Sequence, residues 1–209
     1  MDKLSISIHC EHNRQSPVFR MTLLRILLGL VLSLQFSFAN AVTTERPDEL
    51  RDLLVKAVNG SDSFEDRFDA EVWLLDMSSR LKRRVKDDNK RLTLLKNIHY
   101  EAKRADLPPE LVLSVIQIES NFDRWALSRV GARGLMQIMP FWLDEIGKPG
   151  DDLFHIRTNL RFGCTILKYY IKKEKGDLVR GLARYNGSLG STRYPDKVLN
   201  ALADRWYQR

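Results

Sequence analysis

Glu119 is the residue of this chain best placed to do proton chemistry. It closes a run, Pro109 to Ser120, in which positions 112, 115, 116 and 119 fall on one helical face, because residues three and four apart stack. Val112, Val115 and Ile116 hold the first three of those positions. A carboxylate at the end of an apolar stripe is costly to ionise, so its pKa is expected to rise. A carboxyl that keeps its proton near neutral pH is what a general acid needs to protonate a glycosidic oxygen. On spacing alone, a glutamate in a last turn could equally reach solvent or hold an arginine. Downstream, Gly131 and Gly134 allow close backbone approach or positive φ. Gln137 offers both a donor and an acceptor, and Met139 a soft apolar surface that alone would more often be core. Beyond residue 41 the only histidines are His99 and His155 and the only cysteine is Cys164. That leaves no recognisable spacing for a Ser/His/Asp triad or a zinc site, and no metal or cofactor is expected. Most glycosidases use two carboxylates. The other candidates, Asp123, Asp144, Glu145, Asp151 and Asp152, read as solvated or capping residues.

Four ordered segments carry a family likeness. Glu119-Ser120-Asn121-Phe122 is followed by Gly131-Ala132-Arg133-Gly134-Leu135-Met136-Gln137-Ile138-Met139-Pro140, then by Asn159, Leu160, Gly163 and Leu167, then by Ala183-Arg184-Tyr185-Asn186. In this order they resemble the lytic transglycosylase family with the lysozyme-like fold, over about residues 95 to 205. Each motif alone is weak and the set is specific. The resemblance implies cleavage of peptidoglycan glycan strands between N-acetylmuramic acid and N-acetylglucosamine, with Glu119 as the single acid and then base. It also implies assistance from the substrate's own N-acetyl group, a recorded exception to the two-carboxylate rule, and a 1,6-anhydromuramyl product. Ser128 is implied as a contact to the N-acetyl group, Gln137, Met139, Tyr185 and Asn186 as further substrate-binding residues, and the Tyr185 hydroxyl as a group that orients Glu119 or the reacting sugar. The family usually shows A-A-Y-N-A-G at its last motif. Arg184 and the stretch Gly187-Ser188-Leu189-Gly190 depart from it, which alters the expected outer contacts of the cleft. A lysozyme-type hydrolase and a non-catalytic wall-binding or scaffold protein are the rival readings.

The elements that must position these residues read as mainly α. Ser63 to Arg84 forms a helix with Phe64, Phe68, Val72, Leu75 and Ser79 as its stripe and Trp73, Leu74 and Met77 beside them. Asp87-Asp88-Asn89 interrupts the chain, and Arg91 to Ala105 is amphipathic through Leu92, Leu95, Ile98 and Ala102, with His99 as a packed helix histidine. Pro108 and Pro109 open the Glu119 helix, with Asp106 placed to cap it. A loop-rich middle follows, with room for a small β-hairpin near Ser128 to Met136. Asn159 to Lys173, Leu178 to Tyr185 and Tyr194 to Tyr207 complete the helices.

Composition bounds the rest. The chain has 209 residues and a net charge of +7. A basic protein favours anionic partners in general. Its one dense basic run, Arg80, Lys82, Arg83, Arg84 and Lys86, reads as a solvated helix face. No aromatic residues interleave with that run, so nucleic acid is not an expected partner. Arg20 and Arg25 flank the start of an apolar stretch, Ile26 to Phe38, followed by Ala39-Asn40-Ala41. That is the pattern of a secretory signal peptide over residues 1–41, cut after Ala41, with Met21 as an alternative start. The stretch is too short for a comfortable membrane span. Removal of four basic and two acidic residues with the leader leaves +5. The expected organisation is a helical extension over 42–90 and a lysozyme-like transglycosylase domain over 91–209, in a periplasmic monomer without an integral membrane span.

Overall fold

The computed structural model describes residues 66–207. The leader, residues 42–62 of the expected extension and the first residues of the Ser63 helix lie outside the described residues. Among the described residues the element order is α1 (Arg67–Leu81), α2 (Asp88–Arg104), α3 (Pro109–Glu119), α4 (Trp142–Ile146), α5 (Ile156–Lys173), α6 (Leu178–Tyr185), α7 (Arg193–Ala201) and a terminal π-helical turn, Leu202–Trp206. The fold is mainly α. The hairpin expected near Ser128 to Met136 is reduced to two isolated antiparallel bridges, Leu127 with Arg133 and Arg133 with Ile138. No described helix is long and apolar enough to cross a membrane.

Capping sets most helix starts. The Asp66 carboxylate accepts from the Phe68 and Asp69 amides at 2.6 and 3.2 Å. Asp87 accepts from Lys90 at 2.9 Å, so the acidic interruption is the cap of α2 and α2 begins at Asp88 rather than Arg91. Asp177 caps α6 through the Arg180 amide at 2.9 Å. Asp106 does not cap α3. Pro108 occupies the cap position with no side-chain hydrogen bond. Asp106 adopts φ 53° and turns to Lys168, whose ammonium reaches its carboxylate at 2.7 Å.

The helices enclose α3. Leu111, Val112, Leu113, Ser114, Val115 and Ile116 are all buried, so this helix is apolar all round and not along one stripe. It packs against α2, α7 and the π-helical turn. Leu74, Met77 and Leu81 of α1, Leu95 and Ile98 of α2, Leu160 and Leu167 of α5, Leu182 and Val198 join it in one core. The face of α1 that goes inward is Ala70, Trp73, Leu74, Met77 and Leu81, and Phe68, Val72 and Leu75 are exposed. The expected stripe was therefore the outer one. Trp73 decides the rotation: its indole N–H donates to Glu110 at 2.6 Å and its ring meets His99 edge-on at 4.9 Å. Burial pushes the His99 imidazole down to about 4, with Lys103 adding to the effect, which fits a packed histidine. At the far end the helix expected to reach Tyr207 changes register. The wider turn brings Trp206 fully inside, where its indole N–H donates to Gln117 at 2.9 Å.

The basic run is only partly a solvated face. Arg80 pairs with Asp76 at 2.7 Å and donates to the Arg205 carbonyl at 2.5 Å. Arg84 donates to the Asn121 side chain at 2.6 Å, two residues beyond Glu119. Both arginines therefore tie α1 to the segments that follow α3 and α7.

Candidate active site

Glu119 sits at the last residue of α3, half-buried, where the helix meets the loop that ends the apolar run. Its Oε1 accepts a hydrogen bond from the Tyr194 hydroxyl at 2.6 Å. Burial pushes the Glu119 carboxyl up to about 7, and the hydrogen bond from Tyr194 pulls it part of the way back down. Tyr194 and Tyr185 are held well above the usual phenol range, first by burial and then by the nearby Glu119 charge. Glu119 opens on a cleft of about 320 Å³ lined by Ile118, Asn186, Ser188, Ser191, Arg193, Tyr194 and Lys197. Among the described residues it is the one carboxylate on that lining. The arrangement can hold a protonated acid against a solvent-accessible space at near-neutral pH.

The loop from Gly131 to Pro140 forms a frame behind this acid. Ser120 donates to the Leu135 carbonyl at 2.8 Å, which pins the end of α3 to the loop. Asn159, near the start of α5 and fully buried, makes three contacts. Its Oδ1 accepts from the Met136 amide at 2.8 Å, and its Nδ2 donates to the Arg133 and Leu153 carbonyls, each at 2.8 Å. Gly134 has φ 74°, and a Cβ there would collide with the Asn159 side chain and come within 2.6 Å of the Leu153 carbonyl. A Cβ on Gly163 would collide with the Met136 side chain. The three hydrogen bonds of Asn159 and the contact of Gly163 with Met136 account for the Asn and the Gly that the third motif carries one helical turn apart. Asn121 and Phe122 both take positive φ, 49° and 70°, a strained conformation for non-glycine residues that the Arg84 bond and the packing of Phe122 on Trp206 over-determine.

The expected site residues separate into two groups. Glu119 and Asn186 meet on the cleft. Tyr185 does not orient Glu119 directly. Its hydroxyl donates to the Met136 carbonyl at 2.7 Å, so it fastens α6 to the frame. Ser128 accepts from the Ala132 amide at 2.9 Å through its hydroxyl, closing the turn at Gly131. Gln137, at φ 49°, donates its side-chain amide to the Gly134 and Ala126 carbonyls at 2.9 and 3.2 Å. Met139 is half-buried. Ser128, Gln137 and Met139 lie in or beside the frame, and the lining of the cavity of about 320 Å³ is made by other residues. Arg184, a departure from the expected motif, is half-buried and pairs with Glu174, which also holds Arg180 at 2.5 Å. It therefore serves the packing of α6 on the end of α5, away from the outer contacts of the cleft.

Tyr194, which bonds Glu119 on the cleft, is the residue of this candidate site that the sequence alone does not single out. It stands 75 positions from Glu119, at the start of the last helix. A tyrosine at the first turn of a helix that follows a Ser/Gly/Thr loop was the available signal, and it is not distinctive.

The description "Transglycosylase SLT domain" fits residues 96–204, more than half of the chain. The chain belongs to the transglycosylase SLT domain family. Its SLT domain thus begins within α2 and runs to the π-helical turn, with the cleft and the frame both inside it. Among solved structures, the chain is similar to an inactive mutant of lytic transglycosylase Slt from Pseudomonas aeruginosa, at 19% identity and a TM-score of 0.43, over 75% of this chain and 34% of that one. It is also similar to the 70-kDa soluble lytic transglycosylase Slt70 from Escherichia coli, at 21% identity and 0.40, over 73% and 25%. A third is the 70-kDa soluble lytic transglycosylase in complex with bulgecin A, at 22% and 0.43, over 95% and 32%. The chain spans about a quarter to a third of the length of these proteins.

Proposed function

We propose that this chain is a peptidoglycan lytic transglycosylase that cleaves the β-1,4 bond between N-acetylmuramic acid and N-acetylglucosamine. The observation that carries the reading is Glu119: a carboxyl raised to about 7, held by Tyr194, and the one carboxylate among the described residues that line an accessible cleft within an SLT domain. Near pH 7 about half of the molecules carry the proton on Glu119. In the first step that proton passes to the glycosidic oxygen as the bond from C1 of muramic acid to that oxygen breaks. The carbonyl oxygen of the substrate's N-acetyl group stabilises the cation at C1. Glu119, now a carboxylate with Tyr194 donating to it, takes the proton of the muramic C6 hydroxyl, whose oxygen bonds to C1. The product is a 1,6-anhydromuramyl end, and no water is consumed.

The other residues take supporting roles in this reading. Asn186 contacts the substrate from the far wall. Gln137 presents its amide oxygen, its N–H groups being engaged with the frame. Where the glycan continues past the cleft, Ser128 meets an N-acetyl group and Met139 a sugar face, and Tyr185 acts on the site through the Met136 carbonyl. The substrate lies outside the cytoplasm, so the chain is exported by the leader over residues 1–41 and works in the periplasm.

The test is a digest of purified peptidoglycan by the protein and by Glu119→Gln, with products weighed by mass spectrometry. Products lighter by one water than hydrolysed muropeptides, and missing from the variant digest, are expected. Products with water added would make the protein a lysozyme-type hydrolase. A folded protein that cuts nothing would leave the non-catalytic wall-binding reading.

A further inference from the structure

The far wall of the cleft carries two cations that the proposed chemistry does not use. Arg193 and Lys197 lie four residues apart on α7, on one face of the helix, and both line the cleft that holds Glu119. Both are exposed. Tyr194, beside Arg193, is buried, lines the same cleft and donates to Glu119. One helix therefore delivers the acid's hydrogen-bond donor and a cationic rim.

Several cations elsewhere in the fold are paired with carboxylates. Arg80 holds Asp76, Arg104 holds Glu101, Arg161 holds Asp151, Lys168 holds Asp106, and Arg180 and Arg184 share Glu174. Arg193 and Lys197 form no ion pair among the described residues. Asp196, between them in sequence, is exposed and does not line the cleft. Two uncompensated cations on the wall of a cleft raise the local concentration of anions and favour an anionic ligand. The neutral donors Asn186, Ser188 and Ser191 stand beside them on the same lining, which suits a carboxylate, since hydrogen bonds to an ionised acceptor are the strong ones.

We propose that Arg193 and Lys197 form a binding subsite for a carboxylate carried by the substrate's muramic acid. This rests on the glycan-cleaving reading and adds to it: the cleft selects acid-bearing strands over neutral N-acetylglucosamine chains. A carboxylate can come from the peptide stem or, where the stem is absent, from the lactyl ether itself. The wall recognises the charge, and the same two residues serve either source.

Binding to Glu119→Gln, which holds substrate without turning it over, is the test. Dissociation constants are measured for a stem-bearing glycan oligomer, for the same oligomer stripped of its stems by an amidase, and for a neutral N-acetylglucosamine oligomer. They are measured again with Arg193→Gln and Lys197→Gln added. A preference for the stem-bearing oligomer over the neutral one by about tenfold is expected from two rim charges, with the added substitutions erasing it and with salt weakening it. Retention of that preference by the stripped oligomer assigns the lactyl carboxylate, and its loss assigns the stem. Arg193→Lys with Lys197→Arg should restore it. A preference that survives the two glutamine substitutions overturns the subsite while leaving the cleavage reading intact. Absence of peptidoglycan cleavage by the folded wild-type protein overturns both.

Discussion

The loop from Gly131 to Pro140 and the loop from Asn186 to Thr192 both adjoin the end of α3, and they are built in opposite ways. In the first, Ala132, Gly134, Leu135, Met136 and Ile138 are buried, and Ser120, Asn159 and Tyr185 each hold a main-chain group of the loop. In the second, every residue is exposed or half-buried and its side-chain bonds are short-range, such as Asn186 to Ser188 at 3.2 Å. The frame is over-determined, because a change at one position meets several partners. The wall is held at its two ends by α6 and α7 and is open between them. The departures at Ser188, Leu189 and Gly190 fall on the wall, where side chains can change without disturbing Glu119.

The largest expected effect falls on the acid that both regions border. Glu119→Gln should lower glycan cleavage by about 10²–10⁴-fold, as measured by initial rates on purified peptidoglycan. The same variant should be more stable than the wild type above neutral pH. The folded Glu119 carboxyl lies near 7 against an ordinary 4.5, so the stability that its protonated form contributes is complete below about 4.5 and is lost as pH rises through 7. Glutamine does not titrate, so thermal denaturation at pH 5 and pH 8 should open a gap of up to about 3 kcal/mol in its favour at the higher pH. A gap that shrinks as pH rises would contradict this.

The frame should give the next largest effect. Asn159→Ala orphans the Met136 amide and the Arg133 and Leu153 carbonyls in a buried setting, and a loss of about 3 kcal/mol is expected in urea unfolding. Tyr194→Phe removes a donor to the Glu119 carboxylate, and that donor lowers the carboxyl's pKa. The acid form should then persist to higher pH, moving the alkaline limb of the kcat profile upward while kcat itself falls. Stability should change less than in Asn159→Ala. The smallest effect is expected on the wall, where Ser188→Ala should alter stability by within about 0.5 kcal/mol. A destabilisation there as large as that of Asn159→Ala would erase the distinction between the two regions.

Much of this division could be read from the sequence, for reasons that differ by residue. Glu119 was legible because a charged residue at the end of Val112, Val115 and Ile116 is locally anomalous. The helix of α6 was legible to the residue, because Asp177 caps it and Asn186 ends it. The inward face of α1 was not, since Phe68, Val72 and Leu75 make as good a stripe as Trp73, Leu74, Met77 and Leu81. Only the distant bond from Trp73 to Glu110 chooses between them. Asn159, Gly163 and Tyr185 could be picked out as motif residues, but their partners in the loop from Gly131 to Pro140 lie 23 to 49 positions away and depend on how α5 and α6 cross that loop. Tyr194 needed the packing of α7 on α3, which no local pattern encodes.

The central claim is that Glu119 holds its proton near neutral pH. It is tested most directly by following the side-chain carboxyl carbons of the glutamates by NMR across pH 3 to 9, in the wild type and in Glu119→Gln. One resonance with a midpoint of about 7, absent from the variant spectrum, is the expected result. If every glutamate titrates in the ordinary carboxylate range and the variant loses one of those, Glu119 is ionised at neutral pH and cannot be the acid of this site.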